Sequence, residues 1–98
     1  MINLLRRLST LPHIKIGVDR GDLEWAIRHA FYEEVGEEEV IDVYISRYPE
    51  EYGATVLLKN EPTPEAEEFA FEQEDYFRSL GIRVGILIFK MQEPVYAQ

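Results

Sequence analysis

Residues 80–91 read Leu-Gly-Ile-Arg-Val-Gly-Ile-Leu-Ile-Phe-Lys-Met. In an extended chain Val84, Ile86 and Ile88 fall on one side, and Leu87, Phe89 and Met91 on the other. A strand in a sheet wetted on one face alternates apolar with polar residues. This one is apolar on both faces, so it predicts a sheet whose second face also needs cover, either from the chain's own N-terminal segment or from another copy of the protein.

Working back from that strand, the preceding segment is punctuated as a helix. Thr63 is a good N-cap, Pro64 suits the first helical position, and Glu65, Glu67 and Glu68 sit where the helix dipole favours acids. Ala66, Phe69, Ala70, Gln73, Phe77 and Leu80 share one face, with Tyr76 at its margin and Phe71 pointing away. Gly81 predicts the stop, with Ile82 placed for the apolar contact that accompanies a Schellman turn. Upstream, Val40–Tyr48 and Ala54–Lys59 read as strands joined by the turn-forming Pro49-Glu50-Glu51-Tyr52-Gly53. Ile41, Val43 and Ile45 are expected on one face of the first strand, and Asp42, Tyr44, Ser46 and Tyr48 on the other. In the second, Val56 and Leu58 oppose Thr55 and Leu57.

An earlier helix is expected from Leu23 to Val35, with Asp22 as its N-cap and Gly36 as its C′ glycine. Leu23, Ala26, Ile27, Ala30 and Phe31 form its core stripe. Trp25 and Tyr32 lie off that stripe beside Arg28 and His29, a composition found in binding hot spots. Asp19-Arg20-Gly21-Asp22 contains an Arg-Gly-Asp triplet, here read as a turn and helix cap. Before it, Ile14, Ile16 and Val18 alternate with His13, Lys15 and Gly17 as a further strand. Pro12 separates that strand from Met1–Leu11, an arm carrying leucines and Arg6 and Arg7.

The resulting order is β-α-β-β-α-β. It resembles the ferredoxin-like, split βαβ sandwich: an α+β two-layer fold with an antiparallel four-stranded sheet and two helices on one face. The arm spans 1–11, a single domain 12–91 and a tail 92–98. A runner-up omits the first strand and gives the α-β-β-α-β order of ring-building and modified KH domains. The GXXG clamp by which KH domains hold nucleic acid is missing from the sequence. In the favoured fold His13, Lys15, Tyr44, Tyr48, Leu57, Leu87, Phe89 and Met91 share the sheet face away from the helices.

Composition narrows the function. The 98 residues carry a net charge of −9 with three lysines, which disfavours nucleic-acid and anionic-membrane partners. No cysteine is present, so disulfide and thiol chemistry are excluded and a cytoplasmic setting fits. No apolar run approaches the roughly 20 residues that span a bilayer. Patterns for P-loops, GxGxxG turns, nucleophile elbows, zincins and EF-hands are all lacking. His29 and Glu33 are one helical turn apart, but two ligands make an incomplete zinc site. Glu65, Glu68 and Glu72 share a helix face without the converging loop oxygens of a calcium site. The missing motifs argue against those families only, since acid–base pairs can be assembled from distant residues. No catalytic residue, metal ligand or cofactor is assigned, and whether the chain is an enzyme stays open, with the balance leaning against it.

The leading expectation is a small acidic interaction module, a homodimer or a binder of another protein. Its contact residues are Leu57, Leu87, Phe89 and Met91, with Trp25 and Tyr32 as a second patch. One alternative is a small-molecule sensor or enzyme using His13, Lys15, Tyr44 and Tyr48 on the free sheet face, with tyrosine and histidine available for proton transfer. A lesser alternative is an acidic mimic of nucleic acid, suggested by the seven acids and no base between Glu61 and Asp75.

Overall fold

A computed structural model describes residues 19–92. In chain order these form α1 (Arg20–Val35), a short 3-10 turn (Glu37–Glu39), β1 (Val40–Arg47), β2 (Tyr52–Leu58), α2 (Pro64–Ser79) and β3 (Val84–Lys90). The arm at 1–11, the strand read around Ile14–Val18 with His13 and Lys15, and the last six residues of the tail lie outside the described residues.

Both helices form where local chemistry places them. Helix α1 starts three residues earlier than its expected first residue. Asp19, not Asp22, is the N-cap: its extended backbone turns the chain into the helix, and its carbonyl accepts from the Leu23 N–H at 3.0 Å. Asp22 instead lies in the first turn, where the helix dipole favours an acid. Gly36, at φ 101°, closes the helix by donating to Tyr32 O at 2.9 Å. Helix α2 is capped by Thr63, whose Oγ1 accepts from Ala66 N–H at 3.1 Å. Its far end is a complete Schellman turn. Ile82 N–H reaches Phe77 O and Gly81 N–H reaches Arg78 O, each at 2.9 Å, with Gly81 at φ 82°.

Among the described residues the sheet has three strands, in the order β1-β2-β3. Strands β1 and β2 are an antiparallel hairpin, while β2 and β3 run parallel from Tyr52↔Val84 to Leu58↔Lys90. The expected antiparallel four-stranded sheet is thus corrected, for the described residues, to a mixed three-stranded one. In a split βαβ sheet the first strand lies between the third and the fourth. Here the corresponding two strands bond directly, with α2 making the crossover that parallel neighbours require. The described residues follow the α-β-β-α-β order, and the α+β two-layer arrangement stands. Helix α1 covers β1 and α2 covers β3.

A single core fills the space between the layers. Leu23, Ile27 and Phe31 from α1 meet Val40, Val43, Ala54, Val56 and Leu58 from the hairpin, and Phe77, Ile82, Val84 and Ile86 complete it. The ring of Phe31 meets Phe69 edge-on at 5.0 Å, the geometry that aromatic quadrupoles favour. One strand expectation is corrected. Ile41 was expected inward with Val43 and Ile45, yet it is 41% exposed. The register shifts between Val40 and Asp42, so an extra residue bulges there. Val40 and Val43, three apart, consequently both enter the core.

Candidate interaction surface

The face of the sheet away from the helices is built by register. Asp42, Leu57 and Phe89 form one cross-strand row, Tyr44, Thr55 and Leu87 the next, and Ser46, Gly53 and Gly85 the third. Leu87 is 60% exposed, Tyr44 54%, Phe89 48% and Met91 42%, while Leu57 is half-buried between its neighbours. Tyr48, beyond the end of β1, folds back over Gly53. A Cβ at position 53 would lie 3.0 Å from Cε2 of its ring. The structure therefore brings Tyr44, Leu57, Leu87 and Phe89 together in the first two rows, and stands Tyr48 over the glycine end.

Trp25 and Tyr32 occupy a different surface. Along α1 the rings of Trp25 and His29 lie 4.2 Å apart, and those of His29 and Tyr32 5.1 Å apart, with Trp25 exposed and Tyr32 half-buried against the core margin. His29 is thus sandwiched in an aromatic ladder. Among the described residues no cluster of three or more His, Cys, Asp or Glu could hold a metal ion.

Arg28 ties this ladder to the sheet. Its guanidinium donates to Glu24 Oε2 at 2.6 and 3.0 Å and to Asp42 Oδ1 at 2.9 Å. Its pKa is raised, chiefly by the Tyr32 hydroxyl and then by Asp42 and Glu24, against the opposing effect of burial. Asp42 is held below the ordinary carboxylate value, first by the Arg28 hydrogen bond and second by the Val43 N–H, which donates to it at 2.8 Å. Tyr44 in turn is pushed up by its hydrogen bond to Asp42 and by that carboxylate's charge.

Three depressions flank these features. One of about 370 Å³ is ringed by Glu34, Glu39, Glu61 and Glu65 over a floor of Val35, Leu58 and Ala66. Another, about 400 Å³, lies between Glu51, Glu74, Arg78 and Arg83. The third, about 260 Å³, runs between α2 and β3 past Phe71 and Leu87. None of the three includes Tyr44 or Tyr48, two residues of the ligand-binding alternative.

Sequence reading missed three contributors: Arg28 as a clamp, Asp42 as its partner and Glu74, whose carboxylate accepts from the Ile86 N–H at 2.6 Å. Each acts through a residue on another element or through a backbone group that only the fold exposes. Helical spacing does mark the Glu24–Arg28 pair, one turn apart, but not the bonds to Asp42 or to the Ile86 N–H. Among the described residues no helix is long and apolar enough to cross a membrane. No known protein family, curated protein or solved structure matches the chain.

Proposed function

We propose that this protein is a small, acidic, non-enzymatic interaction module that associates with itself through its sheet layer. One observation carries the reading. Tyr44, Leu87, Phe89 and Met91 are exposed on the sheet face that neither helix covers. Contiguous apolar patches of more than a few hundred Å² mark interaction sites more often than bare surface. The ladder of Trp25, His29 and Tyr32 is a second surface suited to another protein, since Trp and Tyr dominate binding energy at interfaces.

The test is sedimentation velocity on the full chain from low micromolar to several hundred micromolar. A rise in sedimentation coefficient with concentration is expected. A single monomeric species across the whole range defeats the proposal.

A further inference from the structure

Self-association through the sheet layer has two routes, by strand edge or by face, and the two edges carry a common device. The ladder bonds from Tyr52 N–H to Arg83 O and from Met91 N–H to Leu58 O set odd-numbered β3 residues toward β2. The N–H groups of Val84, Ile86, Ile88 and Lys90 therefore face outward along the β3 edge. Helix α2 reaches over that edge, and Glu74 takes the Ile86 N–H at 2.6 Å. At the opposite edge the bond from Tyr48 N–H to Glu51 O sets the hairpin phase, so Val43, Ile45 and Arg47 face outward on β1. There Asp42 takes the Val43 N–H at 2.8 Å, next to the bulge at Ile41. A strand adding to an edge needs a run of free outward N–H groups. Charges and bulges that break such a run are the usual guard against lateral pairing.

Charge favours the face by a separate argument. The three strands hold one acid, Asp42, and two bases, Arg47 and Lys90. The two helices hold ten acids against three arginines. Two copies meeting helix to helix would press these acids together. Meeting face to face, with sheets about 10 Å apart, sets the helix layers roughly 30 Å apart, well beyond the Debye length of about 8 Å at physiological salt.

We infer that Asp42 and Glu74 close both edges of the sheet to strand addition, leaving the free face, centred on Leu87 and Phe89, as the surface on which a second copy of this chain docks. This rests on the self-association proposed above and names its surface and occupant. Three strands about 4.8 Å apart, with seven residues rising about 3.3 Å each, give a footprint of about 14 by 23 Å. That is small beside the roughly 800 Å² per partner of a standard interface. The dimer is accordingly weak and concentration-dependent.

Sedimentation velocity over the same concentration range tests this with the full-length protein, Leu87→Lys, Phe89→Ser and the pair Asp42→Ala with Glu74→Ala, each checked for folding by circular dichroism. Leu87 and Phe89 are about half exposed or more and lie outside the buried core cluster, so their replacement is expected to leave the fold intact. The expected results are a dimer for the parent, about a hundredfold weaker dimerisation for Leu87→Lys, clear weakening for Phe89→Ser, and growth beyond the dimer for the edge pair. If Leu87→Lys and Phe89→Ser dimerise like the parent, the face assignment is overturned while self-association stands. If the edge pair grows no further than the parent, the guarding role of the carboxylates is overturned. A parent that stays monomeric removes both this inference and the function on which it rests. That includes a parent whose face is covered by its own N-terminal segment.

Discussion

Replacing Arg28 by Met keeps the apolar stem of the side chain while removing every hydrogen bond it donates. The bonds lost include two to Glu24 and one to Asp42, and the interaction with the Tyr32 hydroxyl goes with them. The pairs are partly exposed, with side-chain accessibilities of 23% for Arg28 and 39% for Asp42, so solvent screening holds each near the surface-pair range of up to about 1 kcal/mol. A total loss of about 1 kcal/mol at pH 7 is expected from urea denaturation. The pH dependence follows from Asp42. Its folded pKa lies below the ordinary 3.8, so its contribution is present above that value and lost as pH falls through the folded value. In the variant the main cause of the depression is gone, and only the Val43 N–H and the weaker contribution of Tyr44 remain. An NMR titration of the Asp42 carboxyl carbon should place its midpoint closer to 3.8 than in the parent. The stability gap between parent and variant should narrow as pH falls below 4. An Asp42 midpoint unmoved by the substitution would refute the pairing. A gap that stays constant to low pH would assign the loss to packing.

Other outcomes are expected from the same geometry. Asp42→Asn should bring the Tyr44 phenol back toward 10.0, read by ultraviolet titration, because the carboxylate is what raises it. Thr63→Ala should cost about 1 kcal/mol in chemical denaturation through loss of the α2 cap. Phe77→Ala, at a fully buried core position, should cost about 3–5 kcal/mol and lower the thermal midpoint steeply. Gly53→Ala should be mild, under about 1 kcal/mol, because the Tyr48 ring in its way is exposed and can swing aside. A large loss there would show that the ring is held more firmly than its exposure implies.

Much of this fold was legible because its signals are local. The Thr63-Pro64 start and Gly81 stop of α2 depend on hydrogen bonds within a few residues, and each formed where chemistry placed it. The two apolar faces of β3 follow from strand periodicity alone, and the burial of Val84 and Ile86 against the exposure of Leu87 and Phe89 agrees. What failed was non-local. A helical crossover between two strands fixes that they are parallel but leaves open whether a third strand lies between them, and here none does. The bulge at Ile41 was hidden because its period-two pattern with Val43 looks like an ordinary strand. Only the competition of Val40 and Val43 for the core reveals the bulge. Arg28 and Asp42 are fourteen residues apart and Glu74 and Ile86 twelve, so their pairings emerge only after the layers assemble.

The direct β2–β3 ladder also sets an order of events during folding. The hairpin closes over a four-residue turn, whereas Tyr52 must wait for a partner thirty-two positions further along the chain. Loop-closure entropy therefore delays the second pairing relative to the first. During synthesis, the edge of β2 that pairs with β3 keeps its backbone groups open to water until residues 84–90 have left the ribosome.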